Sequence, residues 1–104
     1  MKIITKEIEN KLNKAGYYGD KAIFKLFTPW ANATWVIFGR DPEDEDVLYG
    51  VSDLGMGCVE AGSIYLPELL EVKGPFGLKV ERDLHFSSDK DINHFLNMES
   101  LAGV

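Results

Sequence analysis

Apolar and polar positions alternate with two different periods along this chain. Near its start Ile8 and Leu12 fall four apart among charged residues, Thr5 stands where an N-cap belongs, and acids follow in the next turn. That pattern predicts a helix over 5–15, stopped by Gly16. From Lys21 the period becomes two: Ala22, Phe24 and Leu26 alternate with Lys21, Ile23, Lys25 and Phe27, and Pro29 closes the run. This predicts a strand over 21–28. Ala33 to Arg40 holds Thr34, Trp35, Val36, Ile37 and Phe38, side chains that suit a pleated surface. The short connection through Pro29 and Trp30 joins the two runs as a hairpin.

Further along, Val47–Ser52 and Cys58–Tyr65 read as two more strands, separated by turn residues Asp53, Gly55 and Gly57. Pro67 suits the first turn of a short helix over 67–72, which Gly74 and Pro75 stop. Alternation resumes from Leu78 to Phe86, placing Leu78, Val80, Arg82, Leu84 and Phe86 on one side of an edge strand. Ser88 is positioned to cap a last helix whose apolar face is Ile92, Phe95, Leu96 and Met98. Short consecutive connections favour antiparallel pairing. The expected fold is a single α+β domain over residues 1–104, with a mainly antiparallel sheet of about four to five strands, an N-terminal helix, a short middle helix and a C-terminal helix.

Composition changes this picture little, but charge adds to it. With 104 residues, 45% of them hydrophobic, the chain can bury one core. The single cysteine, Cys58, cannot pair within the chain and suits a reducing compartment, so the cytoplasm is expected. The charged start, Met1 to Glu7, lacks the apolar run of a signal peptide, and no stretch is long and apolar enough to span a bilayer. Residues 1–40 carry a net charge of +4 and residues 41–104 a net charge of −10. The acidic total of −6 argues against duplex DNA as a partner, because phosphate neutralisation by Lys and Arg supplies most of that affinity. Five of the six residues from Asp41 to Asp46 are acids, which predicts a solvated loop. It is no calcium loop, since Asp46 stands where glycine is needed and Ser52 where a bidentate Glu is needed.

Candidate chemistry is sparse. Strand alternation would project Glu81, Asp83 and His85 to one side, where two carboxylates and an imidazole could take a divalent metal or perform acid–base work. The competing reading is a solvated strand face, with Arg82 in an ion pair or lying along the opposite surface. Cys58 has no recognisable histidine partner and reads as a small core residue; His94 reads as a surface position. Among the aromatics, Trp35 reads as core, whereas Trp30, in a hairpin turn, reads as exposed. Together with Tyr17, Tyr18, Lys21 and Lys25 it makes the only basic aromatic patch the sequence offers. No Gly-rich phosphate loop, nucleophile elbow or paired-cysteine motif is present, so no cofactor and no metal site is assigned.

Several segments read together carry a resemblance: Ile3-Ile4-Thr5-Lys6-Glu7, Lys25-Leu26-Phe27-Thr28-Pro29, Thr34-Trp35, Leu48-Tyr49-Gly50, and above all the run from Gly74-Pro75-Phe76-Gly77-Leu78 into Glu81-Arg82-Asp83-Leu84. In these the chain resembles a small bacterial family carried on plasmids, integrative elements and phages and catalogued only as a domain of unknown function. The chain departs from the family's pattern at Leu66-Pro67, where a capping Ser is more usual, and in its tail after Phe86, which on that pattern reads as a private addition. The resemblance implies a bacterial, mobile-element setting and offers no established reaction or catalytic residues to carry over.

Three functions follow as expectations. The first is a non-enzymatic protein-binding module, an accessory protein with a host or element-encoded partner, contacting it through Trp30, Tyr17, Tyr18 and Arg82. The second is an acidic mimic of DNA that blocks a nucleic-acid enzyme. The third is a small metal-dependent enzyme using Glu81, Asp83 and His85. The edge strand at 78–86 also offers a route to a homodimer.

Overall fold

The computed structural model describes residues 2–104. Among them, α1 (Lys6–Ala15) leads to β1 (Phe24–Phe27), β2 (Thr34–Asp41), β3 (Asp44–Asp53), β4 (Val59–Tyr65), α2 (Leu66–Glu71), β5 (Glu81–Arg82) and α3 (Ile92–Leu96). The strands form one antiparallel sheet in the order β4-β3-β2-β1-β5. The α+β class and the three helices are as the periodicities predict.

Thr5 caps α1 as expected, its hydroxyl accepting from the Ile8 N–H at 3.2 Å. Gly16, at φ 69°, ends the helix with its N–H on the Leu12 carbonyl. Ile8 and Leu12 then pack with Phe24, Leu26, Trp35, Ile37, Leu48 and Ile64 on one face of the sheet, where Leu66 and Leu69 of α2 join them. Trp35 is therefore core. The Arg40 guanidinium fastens α1 to β2 in a two-pronged ion pair with Glu9, at 2.6 and 2.9 Å, and a third bond to Asn13. That hydrogen bond to Arg40 is the main reason the Glu9 carboxyl lies below its ordinary value.

The opposite face carries Ala22, Val36, Phe38 and Val51, and it is covered by Phe95 of α3 together with Leu101. Residues after Phe86 are thus one layer of the core. They are held by two charged side chains that rise from the sheet. Asp53, 2% exposed, accepts from the Leu101 N–H at 2.8 Å, the Ser100 hydroxyl at 3.2 Å and the Gly55 N–H at 2.8 Å. Lys25, 6% exposed, donates to the main-chain oxygen of Val104 at 2.9 Å and pairs with Asp83 at 3.3 Å. A charge is tolerated at such depth only when its lone pairs or protons are matched in this way.

Five local expectations change. The first strand is shorter than 21–28, although Ile23 still donates to Ile37 and Ala22 to Lys90. The acidic stretch is a tight β2–β3 hairpin, with Asp41 opposite Asp44. Its side chains stay in water while its backbone pairs, and the Asp41 and Asp44 carboxylates accept from the N–H groups of Glu43 and Asp46. The strand expected over 78–86 pairs with β1 only at Glu81 and Arg82. The Asp83 N–H still donates to the Lys25 carbonyl at 3.0 Å, but its carboxylate accepts from the His85 N–H, and this local turn ends the ladder there. The last helix is capped by Asp91, which accepts from the His94 N–H; Ser88 instead closes a turn onto Lys90. Cys58 is exposed in the β3–β4 turn and is not a core residue.

Burial pushes the Asp53 carboxyl up, but the N–H groups of Leu101 and Gly55 and the Ser100 hydroxyl outweigh it, leaving the carboxyl below its ordinary value. A lowered folded-state value gives stability that is fully present above the unfolded carboxyl range, about pH 4, and is lost as pH falls through the folded value. Asp53→Asn turns an NH2 group toward donors that need an acceptor. We expect it to cost about 2–3 kcal/mol at neutral pH in denaturant unfolding and to flatten the fall in stability below about pH 4. An unchanged midpoint and an unchanged acid limb would show that the carboxylate does not hold the tail.

Candidate functional site

The residues predicted to act together fall at two separate places. Asp83 and His85 line a cleft of about 400 Å³ between the turn after β5 and α3, with Ser87, Ser88, Lys90 and His94 also on its wall. Glu81 lies instead on the wall of a different cleft, of about 540 Å³, beside Leu70 and Leu78. The turn at Asp83 breaks the alternation that would align Glu81, Asp83 and His85. Asp83 is committed to Lys25 and to the His85 N–H; the bond from His85, and then Lys25, hold its carboxyl below the ordinary value against the effect of burial. Among the described residues no three His, Cys, Asp or Glu side chains lie where they could hold one metal ion.

The aromatic set also divides. Tyr17, Tyr18 and Tyr49 form a cluster with ring centroids 4.7 to 4.9 Å apart, and the Tyr17 hydroxyl bonds to that of Ser63. Tyr18 is the exposed member. Trp30 lies beyond the other end of β2, about 17 Å away if five strand residues at roughly 3.3 Å each separate the two ends. Lys25 is buried and already paired, so it adds no positive surface. Arg82 is half-buried opposite Leu26 on β1.

Trp30 is half-buried, because its indole lies over Gly74. A Cβ at residue 74 would drive into the six-membered part of that ring, so the close approach requires glycine. From this anchor the chain makes a short loop: Lys73 bridges Lys79, Gly74 donates to Leu78 at 2.8 Å, and Leu78 donates to Pro75 at 3.1 Å. At the tip Phe76 takes φ 58°, ψ 27°, a left-handed conformation costing roughly 1 kcal/mol for a residue other than glycine. Its ring is 101% exposed. Leu70 and Val72 are exposed on the approach to the loop, and the cleft beside it is lined by Ile3, Leu70, Leu78 and Val80. This surface was not among the predicted sites. Its signal was the Pro-Phe-Gly sequence, since a ring held between those two turn residues has no strand or helix to carry it inward.

Exposed chemistry elsewhere is muted. The Cys58 thiol donates to Glu60 at 3.1 Å, and that carboxylate pushes the thiol above its ordinary value, away from the nucleophilic thiolate. The acids at 41–46 are confined to one hairpin tip. Among the described residues no helix is long and apolar enough to cross a membrane.

Residues 3–104 match the model of a family described as protein of unknown function (DUF2958). The match includes the tail after Phe86, which is therefore part of the domain and not a private addition. No curated protein and no solved structure matches the chain.

Two outcomes are expected. Gly74→Ala should lower stability by about 1–3 kcal/mol in thermal or denaturant unfolding, because the indole must move to admit a methyl group. Trp30→Ala combined with it should cost little more than Trp30→Ala alone, and additive losses would show that the two do not touch. Glu60→Gln should speed alkylation of Cys58 at pH 8, and an unchanged rate would remove the carboxylate as the cause of the raised thiol value.

Proposed function

The chain belongs to this family of unknown function, and on that premise we propose that it is a non-enzymatic protein-binding module, an accessory protein of a bacterial mobile element that contacts a host or element-encoded protein. The observation that carries the reading is Phe76. A fully exposed aromatic ring, held in a conformation that disfavours it, on a loop wedged in place by Trp30 and Gly74, contributes nothing to this chain's own core. Backbone strain at an exposed position is retained where the side chain it presents has a use. Phe76 is of the type that anchors a protein interface, and Leu70, Val72 and the adjoining cleft, whose wall carries Leu78 and Val80 together with Lys79 and Glu81, extend the contact around it. The scattering of Glu81, Asp83 and His85 removes the geometric support for the metal-dependent reading. Five of the seventeen acids crowd onto one hairpin tip, a tighter grouping than the continuous face a DNA mimic would present.

Phe76→Asn tests this with the fold kept intact, since asparagine tolerates the left-handed region better than phenylalanine does. Tagged wild-type and variant chains would be used to capture proteins from the bacterial host at low and moderate salt. We expect a stoichiometric protein partner with the wild type, lost or weakened at least tenfold with Phe76→Asn, while Leu84→Ser, at another exposed apolar position, leaves capture unchanged. Equal capture by both variants would move the contact away from this loop, and recovery of no partner would count against a binding module.

A further inference from the structure

The two edges of the sheet are built differently. At one side β5 is only the two charged residues Glu81 and Arg82, and charged Asp83 follows directly. This is how natural sheets protect an edge. At the other side β4 runs for seven residues, Val59 to Tyr65, with Glu60 as its one charge and no proline. It pairs along its whole length with β3, from Asp53↔Val59 to Val47↔Tyr65, so its outer backbone groups form a regular row. Exposed apolar side chains stand at both ends of that row: Leu54 and Met56 in the turn before Val59, and Tyr65 at the far end.

We propose that the outer edge of β4 pairs antiparallel with β4 of a second copy of this chain, joining the two five-stranded sheets into one of ten strands about a two-fold axis at Gly62. Self-complementarity selects this occupant over an unrelated strand. In that register Val59 faces Tyr65 of the second copy, an aromatic against a β-branched side chain, and Ala61 faces Ser63. Glu60 faces Ile64, so the two Glu60 carboxylates do not oppose one another. The exposed Leu54 and Met56 of each copy come beside Tyr65 of the other, which brings together apolar groups that the monomer leaves in water. Charge selects the same direction. The acidic hairpin at 41–46 projects from the Tyr65 end of the sheet, because Val47 is paired with Tyr65. Antiparallel pairing sets the two hairpins at opposite ends, each toward the uncharged Leu54–Cys58 turn of the other copy, whereas parallel pairing would set them side by side. The homodimer expected from the sequence thus moves from the 78–86 edge to the β4 edge.

Gly62→Lys tests the register. A Cβ there meets nothing within 4 Å, so the monomer accepts the side chain, while the dimer would bring two lysines together at its axis. Sedimentation equilibrium of the full chain, from micromolar to near-millimolar concentration, should give twice 11.7 kDa for the wild type and for Phe76→Asn. Gly62→Lys should give 11.7 kDa with an unchanged circular dichroism spectrum. Hydrogen exchange should show residues 59–65 protected in proportion to dimer in the wild type only. A wild type that stays monomeric, or a dimer that survives Gly62→Lys, overturns the proposal. Protection of 59–65 that arises only when a different protein is added overturns it in favour of a heterologous strand. Retention of the dimer by Phe76→Asn keeps this result separate from the partner proposed for the Phe76 loop.

Discussion

A five-stranded sheet with apolar side chains on both faces must be covered twice, and in this chain the second cover depends on one buried carboxylate. Asp53 reaches from β3 to the backbone at Leu101 and the hydroxyl of Ser100, 48 and 47 residues further along. No helix long enough to lie across the sheet by packing alone is available there, since α3 has five residues. The segment is held by polar bonds at its ends, and Phe95 and Leu101 supply the apolar contact between them. Lys25 serves the same layer from β1 and, through Asp83, ties it to the short fifth strand.

The other face is assembled by more ordinary means. An amphipathic helix presents Ile8 and Leu12 to it, and Arg40 fixes the helix in place. Unlike Asp53, the Arg40–Glu9 pair is partly in water, where salt and solvent weaken such contacts. One layer is therefore fastened at the rim and the other from within.

Much of the fold was legible in the residues. Period-two alternation located the strands through β4, Thr5 and Gly16 marked the ends of α1, and Trp35 was recognisable as core. Three of the misses share a physical cause: aspartates whose side chains make local bonds to the backbone. Asp83 ends a strand that hydrophobic alternation would have continued to Phe86, Asp91 takes the cap expected of Ser88, and Asp41 and Asp44 help to close a turn where repulsion suggested an open loop. The candidate site was less legible. A turn position predicts an exposed Trp30, yet the small residue that receives it, Gly74, is 44 positions away in the sequence. The flanking Pro75 and Gly77 signal a turn that leaves the Phe76 ring outside any strand or helix, but not that it stands clear of the core beside Trp30 and Gly74. Asp53, whose role depends on residues nearly half a chain away, read as a turn former.

Order of synthesis gives the clamp at Asp53 one more consequence. Every strand of the sheet has left the ribosome before the residues that close its second face exist as free chain. Until Leu101 emerges, Val36, Phe38 and Val51 face solvent or whatever chaperone is at hand, and the Asp53 carboxylate has no donors from the tail. Completion of this domain is then a late event that follows translation of its last residues, and a nascent chain stalled short of them would present an oily, adhesive sheet to the cell.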